Sequence, residues 1–305
     1  MRQGRYSYHF DPVTACNMCG SPAVGHKILG RRLNHSQGRH PRKVVGISTT
    51  IRRCSNCDLV YSDPQPIPFD LQDHYGVPPE AYWNEEYFTL EENYFVEELD
   101  RARTLLPDRA QIRALDVGAG IGKGMLAMAK AGFDTYGFEP SNPFHERAIN
   151  RMGLDPERLK LGMIETIEYP EAHFDFISFA VVLEHMYDPS AAILRGMRWL
   201  KPGGVMRIEV PSSNWLVNRL VNFYYRLGGT DMVANLSPMH EPYHLFEFAP
   251  LTFRSFAAKH GYQVAHQNFY VDKTFLPKVL DPVLVPYMKW TKQGMLLCVW
   301  LRKPL

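Results

Sequence analysis

Two groups of residues have the types and spacing to do chemistry. Cys16-Asn17-Met18-Cys19 and Cys54-Ser55-Asn56-Cys57 are matched C-x-x-C pairs with 34 residues between them. Each pair puts two thiolates on one tight turn, and two such turns can close a tetrahedral sulfur shell around zinc. A redox C-x-x-C is the alternative, but two matched pairs with no surrounding βαβ pattern weigh against it. A shell of Cys16, Cys19, Cys54 and Cys57 leaves no open position, so its role would be structural, supplying on the order of 10 kcal/mol of apparent folding free energy. His26, His35 and His40 could each replace a cysteine, yet each reads better as an ordinary loop histidine. Cys298, in Leu296-Leu297-Cys298-Val299-Trp300-Leu301, reads as core.

The second group starts at Asp116. It is followed by Gly118-Ala119-Gly120-Ile121-Gly122-Lys123-Gly124, and Glu139 lies 23 residues beyond it. Glycines let a ligand approach the backbone closely, and an acid closing the next strand can accept both hydroxyls of a ribose. The dinucleotide fingerprint G-x-G-x-x-G is not met, because its third glycine position is Lys123. Three histidines complete the set: His185 after an apolar run, and His240 and His244 flanking Glu241-Pro242. Histidine is the side chain suited to accepting a proton near pH 7.

Elements that could position these groups follow from periodicity. Residues 112–117 are a buried-strand run, then come the glycine turn and a helical segment over 125–131. Residues 134–139 form a second strand, and Pro143 after Ser141-Asn142 starts a helix. Residues 174–180 are another strand. Asp188-Pro189 caps a helix stopped by Pro202-Gly203-Gly204, and 205–210 is the next strand. This alternation specifies an α/β fold: a Rossmann-like, doubly wound parallel sheet with helices on both faces, whose ligands sit beyond the carboxyl ends of the strands. The insert 214–237 carries Trp215, Leu216, Leu220, Phe223 and Tyr224 at near-helical spacing, then Gly228-Gly229. It reads as a helical lid with a glycine hinge. Core packing or a homodimer contact is a close alternative, and a membrane-surface role a weaker one. Residues 85–106, with Tyr87, Phe88, Tyr94 and Phe95, read as a helix walling the site.

Composition bounds the answer. The chain has 305 residues, 45 % hydrophobic and 22 % charged, with a net charge of +2. That is an ordinary globular composition, which excludes disorder, collagen and coiled coil. No run approaches the ~18 apolar residues of a transmembrane helix. The start, MRQGRYSYHFDPV, lacks an apolar leader core, so a cytoplasmic location and free thiols are expected. Residues 1–62 hold ten Lys/Arg against two acids, whereas 63–100 hold eleven acids and no Lys or Arg. The switch at Asp63-Pro64-Gln65-Pro66-Ile67-Pro68 reads as a module boundary with a stiff linker.

Leu115-Asp116-Val117-Gly118-Ala119-Gly120-Ile121-Gly122, Phe138-Glu139-Pro140, Phe174-Asp175-Phe176-Ile177, Leu183-Glu184-His185 and Leu200-Lys201-Pro202-Gly203-Gly204 together resemble class I S-adenosylmethionine-dependent methyltransferases. The likeness runs from about residue 110 to the end. With 242–253 and Leu59-Val60-Tyr61-Ser62-Asp63-Pro64 after the last cysteine pair, it extends to a bacterial subfamily carrying an N-terminal zinc ribbon, similar to sugar and natural-product methyltransferases. The resemblance implies seven strands with the last, 295–302, antiparallel. It divides the chain into a ribbon module (1–66), a linker and acceptor-side wall (67–110) and a methyltransferase domain (111–305) with a lid at about 212–248.

By the same resemblance, Asp116, Gly118, Ala119, Gly120 and Gly122 would hold the methionine portion of S-adenosyl-L-methionine, and Glu139 with Pro140 the ribose. Met163 and Ile164 would wall the adenine, and Ala180 and Val181 would complete the pocket. His185 stands where similar sugar O-methyltransferases place a general base; a cofactor-contacting or capping role is its alternative. For His240 a structural hydrogen bond is slightly favoured, and His244 stays open. The expected reaction is O-methylation of a saccharide, nucleotide-sugar or natural-product hydroxyl. An RNA methyltransferase reading nucleic acid with the basic ribbon is the alternative, and a keto-sugar C-methyltransferase a lesser one. The RNA reading lacks the Asn/Asp-Pro-Pro-aromatic motif, since 180–185 reads Ala-Val-Val-Leu-Glu-His.

Overall fold

The computed structural model describes residues 7–36, 38, 42, 46–70, 83–271, 274 and 276–305. His40 and part of the expected acceptor-side wall, 71–82, lie outside the described residues.

The N-terminal part consists of β1 (Tyr8–Asp11), β2 (Lys27–Leu33), β3 (Ser48–Arg53), β4 (Val60–Asp63) and β5 (Gln65–Pro68). The proline-rich run expected to be a linker is thus strand β5, paired antiparallel with β1. Pro66 and Pro68 fit there because a two-stranded edge leaves one row of N–H positions unused. The stretch expected as one helix over 85–106 is a 3₁₀ turn at Glu85–Phe88 and then α1 (Val96–Leu105). Phe95, with a left-handed φ of 67°, interrupts the helical path between them.

The rest follows in order: β6 (Arg113–Val117), α2 (Lys123–Lys130), β7 (Asp134–Glu139), α3 (Asn142–Asn150), β8 (Leu159–Leu161), β9 (Phe174–Ala180), α4 (Pro189–Trp199), β10 (Leu200–Pro211), α5 (Leu216–Leu227), β11 (Phe246–Glu247), α6 (Pro250–His260), β12 (Gln263–Tyr270), α7 (Asp281–Thr291) and β13 (Leu296–Arg302). A seven-stranded sheet has the order β12-β13-β10-β9-β6-β7-β8. The strands from β8 to β10 are parallel, and the last strand, β13, runs antiparallel to both of its neighbours. The fold is therefore the expected Rossmann-like α/β sheet. Its central strands are buried on both faces, which is why β9 reads Phe-Asp-Phe-Ile-Ser-Phe-Ala with almost no alternation.

The N-terminal sheet is built into this core. Its order, β11-β4-β3-β2, takes one strand from the second half of the chain. Asn17, inside the first cysteine pair, bonds the start of α4: its amide nitrogen donates to Asp188 and its carbonyl oxygen accepts from the Ser190 N–H, both at 2.9 Å. The Thr252 hydroxyl of α6 donates to the Cys57 carbonyl at 2.7 Å. One buried apolar cluster accordingly runs from Cys16, Met18 and Leu59 to Phe248, Phe253 and Trp199. Of the expected lid, helix α5 packs on β2 through the cluster of Leu33, Tyr225 and Met232. Leu220, Phe223 and Tyr224 of the expected apolar stripe face outward instead.

Candidate functional site

The turn after β6 is set by conformations that glycine adopts freely: Gly118, Gly120 and Gly122 have φ of 66°, 57° and 84°. A Cβ on Gly120 would meet no atom within 4 Å, so this residue borders open space. The turn folds back on β7 through the Ala119 N–H to the Phe138 carbonyl, 3.0 Å. Glu139, at the end of β7, then accepts from the Gly120 N–H and the Ser141 N–H, each at 2.8 Å. A carboxylate offers about four lone-pair sites, so two remain for a ligand diol.

These elements open on a cavity of about 730 Å³ at the carboxyl ends of the strands. Its lining includes Asp116, Gly118, Ala119, Gly120, Glu139, Ala180 and Val181 on one side, and His185 and His244 on the other. Pro140, Met163 and Ile164 line a smaller adjoining cavity of about 110 Å³, together with Gly118, Glu139 and His185. Tyr87, Tyr94 and Phe95 form the wall expected of the 85–106 region, and Glu241–His244 is the part of the 212–248 insert that reaches the cavity. Gly122 is the N-cap of α2 behind it; a Cβ there would collide with Leu154. A neighbouring cavity of about 690 Å³ shares Tyr94, Phe95, Ala180 and Val181, and is charged by Arg207, Glu98 and Glu209.

Electrostatics single out the acids. Burial pushes the Asp116 carboxyl up to about 7, with Arg207 drawing it down and Glu139 pushing it further up. Burial likewise raises Glu139 to about 7, against the two N–H donors that lower it. Both carboxyls would be relieved by a ligand bringing a cationic ammonium and a diol. The donor set therefore fits the methionine and ribose portions of S-adenosylmethionine.

At the other end, the Glu184 side chain is fully buried, and among the described residues neither carboxylate oxygen has a hydrogen-bond partner. Burial raises it to about 8. Its Oε1 lies 4.0 Å from His185 Nε2 and 3.9 Å from His244 Nε2. His185 Nδ1 lies 3.3 Å from the Tyr243 carbonyl, which sets the ring with Nε2 facing Glu184. Burial lowers His185 to about 4 and His244 to about 3, so both rings are neutral near pH 7. Glu184 was legible only as part of the Leu183-Glu184-His185 triplet; an acid amid apolar residues after a buried strand was the signal. Val181 (φ 57°) and Tyr243 (φ 60°) hold left-handed backbone at this end. For a β-branched residue such as Val181 that is a strained state of the kind concentrated at functional sites.

His240 is not brought to this group. Its Nε2 lies 3.1 Å from the buried guanidinium of Arg32 in β2, because the turn from Ser237 to His244 points it at the N-terminal sheet. A hydrogen bond within the fold of this kind is the role weighed for His240 beside that of a base.

The four cysteines of the two pairs lie together, with their sulfurs all within 4.8 Å of one another. Cys16 and Cys57 are 3.5 Å apart, and Cys19 and Cys54 3.6 Å. A tetrahedral shell with Zn–S bonds near 2.3 Å spaces its sulfurs by about 3.8 Å, so the donor set fits zinc. Cys298 is buried in β13 and all five thiols are free.

A model of the methyltransferase domain matches residues 90–267, more than half of the chain. The chain belongs to this methyltransferase-domain family, and the matched region forms a class I S-adenosylmethionine-dependent methyltransferase domain. It is similar to the 27-O-demethylrifamycin SV methyltransferase of Amycolatopsis mediterranei, with 36 % identity over 130 residues, 41 % of this chain and 47 % of that protein. It is also similar to the ubiquinone biosynthesis O-methyltransferase of Methylococcus capsulatus, with 30 % identity over 109 residues, 35 % of this chain and 45 % of that one. The chain thus spans less than half the length of either relative. Among solved structures, a chain of the complex containing the Haloferax volcanii Trm112 methyltransferase activator matches the fold with a TM-score of 0.51 and 16 % identity, covering 77 % of this chain and 98 % of that one. Among the described residues no helix is long and apolar enough to cross a membrane.

Proposed function

We propose that this chain transfers the methyl group of S-adenosylmethionine to a hydroxyl of a small polar acceptor: a saccharide, nucleotide-sugar or natural-product alcohol. The observation that carries the reading is one cavity with Asp116, the glycine turn and Glu139 at one end and His185 and His244, backed by the buried Glu184, at the other. Asp116 orients the ammonium, Gly118, Ala119 and Gly120 let the methionine portion pass, Gly122 shapes the turn from behind against Leu154, and Glu139 with Pro140 takes the ribose. Met163 and Ile164 flank the adenine, while Ala180 and Val181 close the floor. Two relatives whose names describe O-methylation support a hydroxyl acceptor, and the charged side cavity of Arg207, Glu98 and Glu209 suits a polar one.

When bound, the cofactor supplies an electrophilic methyl on a sulfonium, so the protein needs no nucleophile. Its task is to align donor and acceptor at about 3–3.5 Å and to exclude water. The acceptor hydroxyl passes its proton to a neutral imidazole, His185 or His244, and the imidazolium formed faces the Glu184 carboxyl. Zinc on Cys16, Cys19, Cys54 and Cys57 is structural in this reading. Through Asn17 it steadies the segment that joins His185 to α4. The module boundaries at 66 and 110, and membership of the zinc-ribbon subfamily, belong to the same proposal.

The RNA alternative loses support because five of the six basic residues described in the N-terminal module are engaged within the chain. Arg31 pairs with Asp231, Arg52 with Asp63, Arg32 and Arg53 bond backbone carbonyls, and Arg42 bonds Gly228. The test is incubation with methyl-labelled S-adenosylmethionine and fractionated extract. Label in small saccharides or alcohols as a base-stable ether is expected, whereas label in an RNase-sensitive fraction would overturn the acceptor class.

A further inference from the structure

We propose that Glu184, His185 and His244 form a second metal site, taking one divalent transition-metal ion separate from the four-cysteine cluster. One oxygen of Glu184 and one ring nitrogen of each histidine all lie within 4.8 Å of one another. Oε1 of Glu184 is 4.0 and 3.9 Å from the two Nε2 atoms, too far for hydrogen bonds but wide enough for an ion between them. Bonds of about 2.0–2.2 Å to nitrogen and oxygen span such separations.

Three acceptors facing one another need something positive among them. Glu184 is fully buried and, among the described residues, both its oxygens lack a donor. An ionised carboxylate left so costs several kcal/mol. A proton can bridge only one pair of these atoms, and at these distances it bridges none well; a cation meets all three. The orientation of His185 agrees, because Nδ1 lies 3.3 Å from the Tyr243 carbonyl. An N–H donated to a carbonyl is the usual support that orients a ligating histidine.

Two imidazoles and one carboxylate suit zinc, iron(II), cobalt or manganese better than the oxygen-loving magnesium or calcium. The three ligands come from the 3₁₀ turn Leu183–His185 after β9 and from the loop before β11. Both histidines line the cavity, so an ion held there would be within reach of an acceptor in it. A hydroxyl of the acceptor bound there loses its proton to water at the cavity mouth, since coordination lowers its pKa. Its oxygen then forms the bond to the methyl carbon as the carbon–sulfur bond breaks and S-adenosylhomocysteine leaves. The histidines would then ligate rather than take the proton, so the proposal rests on the methyl transfer of the functional reading above and replaces its histidine-base step. Binding is read without turnover, so the two can fail separately.

The test is titration of the zinc-loaded full-length chain with Co²⁺, followed by calorimetry and visible absorption. One added equivalent is expected, with d–d bands of a nitrogen/oxygen site and no new thiolate charge-transfer band. Glu184→Gln and His244→Asn should each weaken it at least tenfold, while the zinc of the cysteine cluster stays in place. His244 is partly exposed on a loop, so its variant keeps the test valid should the buried Glu184 variant misfold. No added equivalent in the wild type, or unchanged binding in His244→Asn, would overturn the site.

Discussion

Replacing Glu139 by Gln separates the cofactor-binding role of this residue from its place in the fold. In the wild type its carboxylate accepts from the Gly120 and Ser141 N–H groups at 2.8 Å each, and is shifted from 4.5 to about 7 by burial. A folded-state pKa raised in this way means the native state binds the proton more tightly than the unfolded one. Stability from this group is therefore fully present below about pH 4.5 and falls as pH rises to about 7. At pH 8 the loss is roughly 3 kcal/mol at 1.36 kcal/mol per unit. Gln escapes that loss but turns its NH₂ toward one backbone N–H, at a cost of about 1–3 kcal/mol. The two nearly cancel, so the ligand-free melting temperature at pH 8 should change little. Ligand binding has no such offset. Two charge-assisted bonds to a diol give way to at most one neutral acceptor, a loss of about 2–4 kcal/mol, or roughly 30- to 1,000-fold in affinity. Calorimetry with S-adenosylhomocysteine, alongside thermal unfolding of both proteins, reads the two effects. Affinity within threefold of wild type at pH 8 would refute the assignment of the ribose to Glu139.

Three further outcomes are expected. Asp116 must be ionised to pair with an ammonium; with its pKa near 7 its charged fraction rises about tenfold between pH 6 and 8. S-adenosylhomocysteine binding should strengthen by about that factor, and Asp116→Asn should flatten the profile in parallel titrations. In Gly120→Ala the new Cβ meets no protein atom within 4 Å at φ 57°, so unfolding should register only the roughly 1–2 kcal/mol of left-handed strain. The methyl stands in the cavity, and cofactor affinity should fall more than tenfold by calorimetry. Cys54→Ser should abolish stoichiometric zinc by elemental analysis. Because Cys54 belongs to the same buried cluster as Trp199 and Phe253, it should also lower the melting temperature of the entire chain rather than of a separable module.

The α/β core was legible because its signals are local. Buried parallel strands are unbroken apolar runs, the glycine turn declares itself by composition, and Asp188 caps α4 by accepting from the Ala191 N–H, as an Asp before Pro predicts. What escaped depends on long-range partners. Gln65–Pro68 reads as a linker until β1 is there to pair with it, and Phe246–Glu247 joins β4 across more than 180 residues of chain. The helical period of α5 was readable but not its contact surface: Tyr225 packs with Leu33 of the N-terminal sheet and Val217 is buried, while Phe223 and Leu227 point outward. Likewise His240 and His244 both flank Glu241-Pro242 in the sequence. Only the turn between them decides that one meets Arg32 and the other Glu184.

The central claim is that one cavity seats the cofactor on the glycine turn and presents its methyl toward the histidine end. A crystal structure with S-adenosylhomocysteine measures this most directly. The account predicts the ribose diol on Glu139, the ammonium at Asp116, and the sulfur facing the space bounded by His185 and His244. A ligand seated in the neighbouring cavity of Arg207 and Glu209, or one whose sulfur turns away from the histidines, would contradict it.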